Sequence, residues 1–118
     1  MFGSFFNQGE VCVAASRILV HEKVQESFTS LLVERVKTMR IGDPILETTE
    51  YGPLISKGHL EKVKTYVEIG EQEGARCLIG GKPIAEMPGY YFQPTVFVNV
   101  KQNMRIVQEE IFGPVATV

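Results

Sequence analysis

The segment Tyr90–Val100, YYFQPTVFVNV, limits the fold of this chain more narrowly than any other stretch. It is rich in aromatic and β-branched residues, which pack well on a pleated sheet, so we expect an extended strand here. One alternation of the strand carries the apolar residues Phe92, Val96, Val98 and Val100. Proline donates no hydrogen bond to a strand ladder, so Pro94 is expected at an edge or a bend.

Shorter strands are predicted on both sides of this segment. Residues 76–79 precede the turn Gly80-Gly81 and are typical of a strand, and so are residues 115–118 after Gly113-Pro114. A short helix within residues 102–110 separates the last two strands. The aliphatic run of residues 18–20 predicts a further short, buried strand.

Helical patterns alternate with these strands. Residues 21–40 predict an amphipathic helix with Val24, Phe28, Leu31, Leu32, Val36 and Met39 inward. A second begins near the capping residue Ser56, ends at Gly74, and turns Leu60, Val63, Val67 and Ile69 inward. At the N-terminus, Phe2, Phe5 and Phe6 predict one aromatic helical face, ended by Gly9. The alternation predicts an α/β fold, a mostly parallel sheet with flanking helices.

Composition narrows the class of partner. The chain has 118 residues, 44% of them hydrophobic, which suits one domain with a single core. The formal charge of -2 comes without a basic stripe, so we expect no nucleic acid or membrane partner. There is no run near 18 apolar residues and no export signal at the N-terminus, so we expect a cytoplasmic protein that binds small molecules or other proteins.

Cysteine, histidine and glycine patterns exclude several kinds of site. Cys12 and Cys77 are expected to be free thiols, since a chain without an export signal seldom depends on disulfides. The only histidines are His21 and His59, and no metal-ligand spacing is present, so no metal site is predicted. Glycine-rich loops of the kind that cradle phosphates are also absent.

The segment 3–17, GSFFNQGEVCVAASR, leaves two interpretations of Cys12 open. Free cysteine is often a buried packing residue, and its neighbours here are small and apolar. A cysteine on a loop just after a helix is also accessible to a substrate, and its backbone amide is suited to stabilising an oxyanion. Residues alone do not decide between packing and catalysis.

Four blocks of the sequence, taken together, resemble those of one protein family. They are FFNQGEVCVAASR (5–17), GDPILETTEYGPLIS (42–56), YYFQPTVF (90–97) and EEIFGP (109–114). In content and order they resemble the NAD(P)-dependent aldehyde dehydrogenases, over essentially the whole chain. The resemblance implies that residues 1–118 are a fragment of the catalytic domain, with the general-base glutamate, the oxyanion asparagine and most of the cofactor-binding domain outside it. We therefore expect the fragment alone to be inactive and to self-associate, and the parent to be a homo-oligomer.

The resemblance also implies roles for particular residues. Cys12 matches the nucleophile, which forms a thiohemiacetal with a small aldehyde and then, after hydride loss to NAD or NADP, a thioester that water hydrolyses. Glu110 matches the carboxylate that binds the nicotinamide ribose, and Phe112 a residue beside the nicotinamide. His59 and Lys62 fall near positions that approach the adenine-side ribose. By residue type alone, Glu110 would be an exposed acid and Phe112 a core aromatic. His59 and Lys62 would be part of an exposed helix face.

Residues around Cys12 carry further expectations. Asn7 and Gln8 are expected to hold the cysteine loop by hydrogen bonds. Many relatives have glutamine where this chain has Glu10, and a carboxylate turned toward Cys12 would disfavour its thiolate. We therefore expect Glu10 to point away or to be paired. Cys77 matches no catalytic position and is expected to be structural.

Other functions remain open at this stage. A CoA-acylating relative would release the thioester to a thiol instead of water. A cysteine hydrolase or acyltransferase would need His21 or His59 as a base near Cys12. A non-catalytic interaction module is the third alternative. The sequence also leaves open which aldehyde is used and whether the cofactor is NAD or NADP.

Overall fold

Within residues 2–118, four α-helices and three β-strands follow one another along the chain. A computed structural model describes residues 2–118. The elements are α1 (Phe2–Phe5), a 3-10 turn (Phe6–Gly9), α2 (Glu22–Lys37), α3 (Lys57–Gln72), β1 (Arg76–Ile79), β2 (Thr95–Val98), α4 (Arg105–Gln108) and β3 (Val115–Thr117). The α/β class is confirmed. None of the helices within residues 2–118 has both the length and the apolar character to cross a membrane.

The sheet is mixed, where we expected it to be mostly parallel. Its strand order is β1-β2-β3, with β1 antiparallel to β2 and β2 parallel to β3. The loop between β1 and β2 contains no helix, which an antiparallel connection permits. The parallel connection from β2 to β3 passes through α4. The expectation that a helix joins neighbouring parallel strands therefore holds for this pair only.

β2 is the central strand and is buried on both faces. Thr95, Val96, Phe97 and Val98 are all buried, so the one-sided alternation predicted for this strand is too simple. Phe97 packs with Val63 and Val67 of α3 on one face, and Val96 packs with residues of α2 on the other. Helices on both faces explain the continuous apolar run. Pro94 lies just before the strand and not within it.

α3 closely follows its predicted pattern. The Ser56 hydroxyl accepts a hydrogen bond from the His59 N–H at 3.2 Å, which confirms the predicted cap. Leu60, Val63 and Val67 are buried, and Ile69 is half-buried. Gly74 follows the helix with φ +95°, a left-handed conformation that suits glycine at a helix end.

α2 buries a narrower stripe than its sequence predicts. Leu32 and Val36 are buried, and Phe28 and Met39 pack partly against the same core. Val24 and Leu31 are exposed, so the prediction is wrong for these two. The buried residues of the helix are Thr29, Leu32 and Val36, which are spaced three and four residues apart and therefore lie along one line of the helix surface. The cap is His21, whose Nδ1 accepts from the Lys23 N–H at 3.2 Å.

The N-terminal aromatic helix is shorter than predicted. Asn7, Gln8 and Gly9 have φ of 48°, 56° and 72°, so the α-helix stops at Phe5 and the chain turns. Phe5 is buried and Phe6 is exposed, which contradicts the predicted single aromatic face. The side chain of Phe2 lies outside the described residues.

Residues 18–20 form no strand, so that prediction is wrong. A single parallel bridge joins Arg17 to Thr117, and the Ile18 N–H donates to the Thr117 carbonyl at 2.8 Å. Leu19 is exposed. The pairing with β3 therefore ends before the aliphatic run can join the sheet.

Candidate active site

Cys12 lies in a tight turn with its side chain exposed. The Ala14 N–H donates to the Val11 carbonyl at 3.0 Å and closes a turn across Cys12 and Val13. The thiol is free and exposed. Within residues 2–118 it makes no hydrogen bond. Within residues 2–118, Cys12 is therefore not a buried packing residue, and its sulfur is open to a reagent or substrate.

The turn is held by the amide residues before it. Asn7 Nδ2 donates to the Glu10 carbonyl at 3.0 Å, and the Glu10 N–H donates to the Asn7 carbonyl at 2.9 Å. Gln8 Nε2 donates to the carbonyl of Pro53 at 3.1 Å, in the connection before α3. These contacts confirm that Asn7 and Gln8 hold the loop that carries Cys12.

Close backbone packing brings the Cys12 loop to the EEIFGP block. Gly9 has φ +72°, and a Cβ at this position would overlap the carbonyl oxygen of Gly113. Glycine is required here both by the conformation and by the approach. The segments that carry Cys12 and Phe112 therefore lie against each other, although a hundred residues separate them in sequence.

His59 joins these segments to the start of α3. Its Nε2 is 2.6 Å from the carbonyl oxygen of Phe112 and 3.3 Å from Glu10 Oε1. Glu10 Oε1 also accepts from the Ile55 N–H at 3.3 Å. The side chains of His59 and Glu10 are only 14% and 11% exposed. Glu10 is therefore paired, as expected, and His59 is not part of an exposed helix face.

Phe112 is held in an unusual backbone conformation beside an open pocket. Its φ is +58°, a left-handed value that bulky residues rarely adopt, and its side chain is half-buried. The pocket has a volume of about 330 Å³, and its walls are formed by Asn7, Gln8, Glu10, Pro53, Ile55 and Phe112. The loop before Cys12 and the residue matched to the nicotinamide contact thus share one cavity.

The two adjacent glutamates of the block differ in their contacts. Glu109 accepts from Arg105 Nε at 2.9 Å and from the Tyr66 hydroxyl at 2.6 Å. These donors, Arg105 first, lower the pKa of Glu109 to about 2. Glu110 is exposed, and its carboxylate has no partner in the described part of the chain. Of the two, Glu110 is the one whose carboxylate has neither oxygen already bound by another side chain within residues 2–118.

Lys62 lies on the exposed side of α3, away from the His59 contacts. Its Nζ is 5.9 Å from the centroid of the Tyr66 ring, and the guanidinium carbon of Arg105 is 5.7 Å from the same centroid. A cation over an aromatic face is weakly stabilised, so this contact leaves the ammonium able to bind another group. The role of Lys62 at the adenine-side ribose stays a prediction.

Neither histidine is arranged as a base for Cys12. His21 caps α2, and Nε2 of His59 must carry a proton because the Phe112 carbonyl can only accept. No hydrogen bond links Cys12 to either ring among the described residues. The cysteine hydrolase alternative therefore lacks the pair it requires.

Cys77 has the opposite environment to Cys12. It lies half-buried in β1, and its Sγ donates to the Ile79 carbonyl at 3.3 Å. Burial, with a smaller contribution from the charge of Glu71, raises the pKa of this thiol. These contacts fit a structural role. Among the described residues, no group of three or more His, Cys, Asp or Glu side chains is placed to hold a metal ion.

The profile of the aldehyde dehydrogenase family matches residues 1–118, so this chain belongs to that family. It is 45% identical, over 98% of its length, to aldehyde dehydrogenase family 2 member C4 of Arabidopsis thaliana, and 47% identical, over 97%, to betaine aldehyde dehydrogenase of Bacillus subtilis. It covers 23% and 24% of those proteins. The chain thus spans about a quarter of the length of these relatives.

Solved structures agree with this assignment. The chain superposes with a TM-score of 0.95 on a NAD-dependent aldehyde dehydrogenase from Sinorhizobium meliloti, at 40% identity, covering 98% of this chain and 23% of that one. The TM-score is also 0.95 for betaine aldehyde dehydrogenase from Staphylococcus aureus in complex with NAD+, at 42% identity and with the same coverage. The chain therefore folds as part of an aldehyde dehydrogenase domain.

Proposed function

We propose that residues 1–118 are a segment of the catalytic domain of an oxidoreductase that converts a small aldehyde to a carboxylic acid with NAD or NADP. The main support is the exposed thiol of Cys12, on a loop whose backbone packs against the end of the EEIFGP block. Family membership gives the reaction class. The cofactor-binding domain lies, in this proposal, largely outside these residues.

Cys12 supplies the covalent chemistry in this proposal. Its thiolate attacks the aldehyde carbon, a C–S bond forms, and the carbonyl π electrons move to oxygen to give a thiohemiacetal. The backbone N–H of Cys12 is not hydrogen-bonded within residues 2–118 and can donate to that oxyanion. Loss of hydride from the carbon leaves a thioester. Water then adds, the C–S bond breaks, and the products are the carboxylic acid and the free thiol.

Residues of the EEIFGP block fit a nicotinamide nucleotide. Glu110 is an exposed, unpaired carboxylate, and an ionised carboxylate can accept from both hydroxyls of a ribose. Phe112 offers a flat apolar surface that limits the movement of a ring beside it. When bound, the nucleotide supplies the hydride acceptor. Lys62 and His59 are proposed to contact the adenine-side ribose, the latter through Nδ1, because Nε2 is engaged with Phe112 and Glu10.

The central test is replacement of the nucleophile. In the complete enzyme, Cys12→Ser should lower the rate of NAD(P)H formation from propanal by at least about a thousandfold, because the covalent route is lost. Cys77→Ser is the matched control and should retain the wild-type rate. A Cys12→Ser enzyme with ordinary turnover would contradict the proposed function. Product analysis with and without coenzyme A separates hydrolytic from CoA-acylating release.

Residues 1–118 alone are proposed to be inactive and to self-associate. Proximity and orientation contribute roughly 7–11 kcal/mol to such reactions, and the isolated segment lacks the proposed cofactor platform. Apolar side chains including Val13, Leu19, Ile45 and Ile55 are more than four-fifths exposed, which favours association. The NADH assay and size-exclusion chromatography of the segment check both points. We propose a cytoplasmic homo-oligomer for the parent, to be tested by cell fractionation and mass measurement.

A further inference from the structure

Three separate parts of the chain meet at one nitrogen atom. His59 Nε2 contacts the Phe112 carbonyl at 2.6 Å and the Glu10 carboxylate at 3.3 Å. Glu10 lies two residues before Cys12, and Phe112 lies two residues after Glu110. His59 itself belongs to the first turn of α3, where the Ser56 cap fixes its backbone. A rigid helix end therefore holds both sides of the proposed site.

The chemistry of these contacts assigns a role to each partner. A backbone carbonyl only accepts, so the Nε2–H of His59 donates to Phe112 and lies within reach of Glu10. The two side chains are almost fully buried, which strengthens a hydrogen bond relative to one in water. Glu10 is held from its other side by the Ile55 N–H. The Nε2–H of His59, the carbonyl of Phe112 and the carboxylate of Glu10 therefore all have partners.

The backbone at Phe112 supplies a second observation. Its φ of +58° is uncommon for a bulky side chain and persists only where neighbouring contacts fix it. The His59 hydrogen bond fixes the carbonyl of this residue. Gly113 packs so tightly that a Cβ there would lie 2.6 Å from Val63 Cγ2. The strained residue is thus held by α3 from two directions.

We propose that His59 is a positioning residue, which holds Phe112 through its Nε2–H and holds the Cys12 loop through Glu10. This inference rests on the proposed aldehyde oxidation and adds the element that keeps thiol and nucleotide in register. In this role His59 acts through Nε2 on Phe112 and Glu10, separately from the contact proposed between its Nδ1 and the ribose. A side chain that donates at the same place without charge should replace it.

The test uses the complete enzyme in a Cys77→Ser background, so that iodoacetamide reports only on Cys12. His59→Ala should weaken NAD binding about tenfold, lower kcat, and speed alkylation of Cys12 in the cofactor-free enzyme several-fold, because the loop is released. His59→Gln restores an N–H donor at the place of Nε2 and should keep kcat and the alkylation rate of Cys12 within about threefold of wild type. Lys64→Ala, on the exposed face of the same helix, is the control for α3.

Glu10 variants separate the linking contact from its charge. Glu10→Ala should leave the Kd for NAD unchanged, lower kcat and speed alkylation of Cys12, because only the link to the loop is lost. Glu10→Gln keeps an acceptor for Ile55 and His59 and should behave as wild type. If Glu10→Gln speeds alkylation as much as Glu10→Ala, the charge rather than the link controls the thiol, and the positioning role is overturned.

The remaining outcomes are equally decisive. A His59→Ala enzyme with wild-type melting temperature, NAD affinity and alkylation rate overturns the inference, as does a His59→Gln enzyme as impaired as His59→Ala. If His59→Ala cannot be purified, Glu10→Ala decides, and wild-type kcat with wild-type alkylation overturns it. Failure of the proposed function is recognised separately, since wild type would then form no NAD(P)H or would not need Cys12.

Discussion

Two regions of the molecule contain the same pair of residue types in opposite states. In the two segments that meet where Gly9 packs on Gly113, Cys12 and Glu110 are exposed and have no hydrogen-bond partner within residues 2–118. Beside α3, α4 and β1, Cys77 donates to a carbonyl and Glu109 is bound by Arg105 and Tyr66. Residue type alone therefore does not show whether a side chain is open to other groups or already bound within the fold. The two regions differ in whether these side chains already have hydrogen-bond partners within the fold.

The largest difference expected between the two regions is in thiol reactivity. At pH 7.5, iodoacetamide should modify Cys12 more than about a hundredfold faster than Cys77, because Cys77 is half-buried and its pKa is raised. A raised pKa leaves less thiolate at a given pH, so the ratio should narrow as the pH increases. Time-resolved peptide mass spectrometry measures both rates. Equal rates for the two cysteines at pH 7.5 would show that their different environments do not affect thiol reactivity.

Gly9→Ala tests the contact that joins the Cys12 loop to the EEIFGP block. The new Cβ would overlap the Gly113 carbonyl at a left-handed residue, so the free energy of unfolding should fall by about 2–4 kcal/mol. Gly58→Ala is the matched control, because a Cβ there meets no atom within 4 Å and alanine favours the helix. Chemical denaturation measures both. Equal unfolding midpoints for the two variants would show that the contact is not tight.

The two adjacent glutamates, Glu109 and Glu110, are expected to contribute differently to the affinity for NAD. Glu110→Gln should raise the Kd for NAD about tenfold, because charged acceptors hold ribose hydroxyls more strongly than neutral ones. Glu109→Gln should change that Kd by less than about threefold, since Glu109 already binds Arg105 and Tyr66. Calorimetric titration of both variants of the complete enzyme provides the values. A larger loss of NAD affinity from Glu109→Gln than from Glu110→Gln would show that Glu109, and not Glu110, binds the ribose.

The smallest effect concerns acid stability. The pKa of Glu109 is about 2 in the folded chain, below its ordinary value of 4.5, owing first to Arg105. A lowered pKa stabilises the fold at pH above 4.5, and that contribution disappears as the pH falls toward 2. Wild type should therefore melt slightly above Glu109→Gln near pH 6, with a difference that shrinks on acidification. A pH-independent difference in melting temperature would exclude this ion pair as its source.

Local sequence patterns predicted individual helices and strands better than the way these elements pack and pair with one another. Ser56, Leu60 and Val67 specify α3 because a cap and a helical repeat are both local signals. The exposed side chain of Leu31 and the mixed sheet escaped prediction, since they depend on which elements meet in space. A short apolar run such as residues 18–20 carries no information on how far its pairing extends.

The candidate site shows the same limit. Cys12, Glu110 and Phe112 were identified from blocks of sequence that resemble a family, and their proposed roles remain predictions. The contact of Glu10 with His59 was missed, because 49 residues separate them and no spacing rule spans that distance. The one available signal was the acidic residue in an otherwise neutral loop. It indicated that Glu10 needed a partner, without identifying which one.

The bridge between Arg17 and Thr117 has a consequence for the order of folding. The Thr117 N–H donates to the Ser16 carbonyl at 2.8 Å, across nearly the whole chain. Closing so long a loop is entropically slow, so we expect the N-terminal segment to dock after β1, β2 and α3 have assembled. Pulsed hydrogen exchange during refolding should protect the amide of Thr117 later than that of Val67. The loop that carries Cys12, which leads directly into this bridge, would then reach its folded position only after the sheet and α3 have formed.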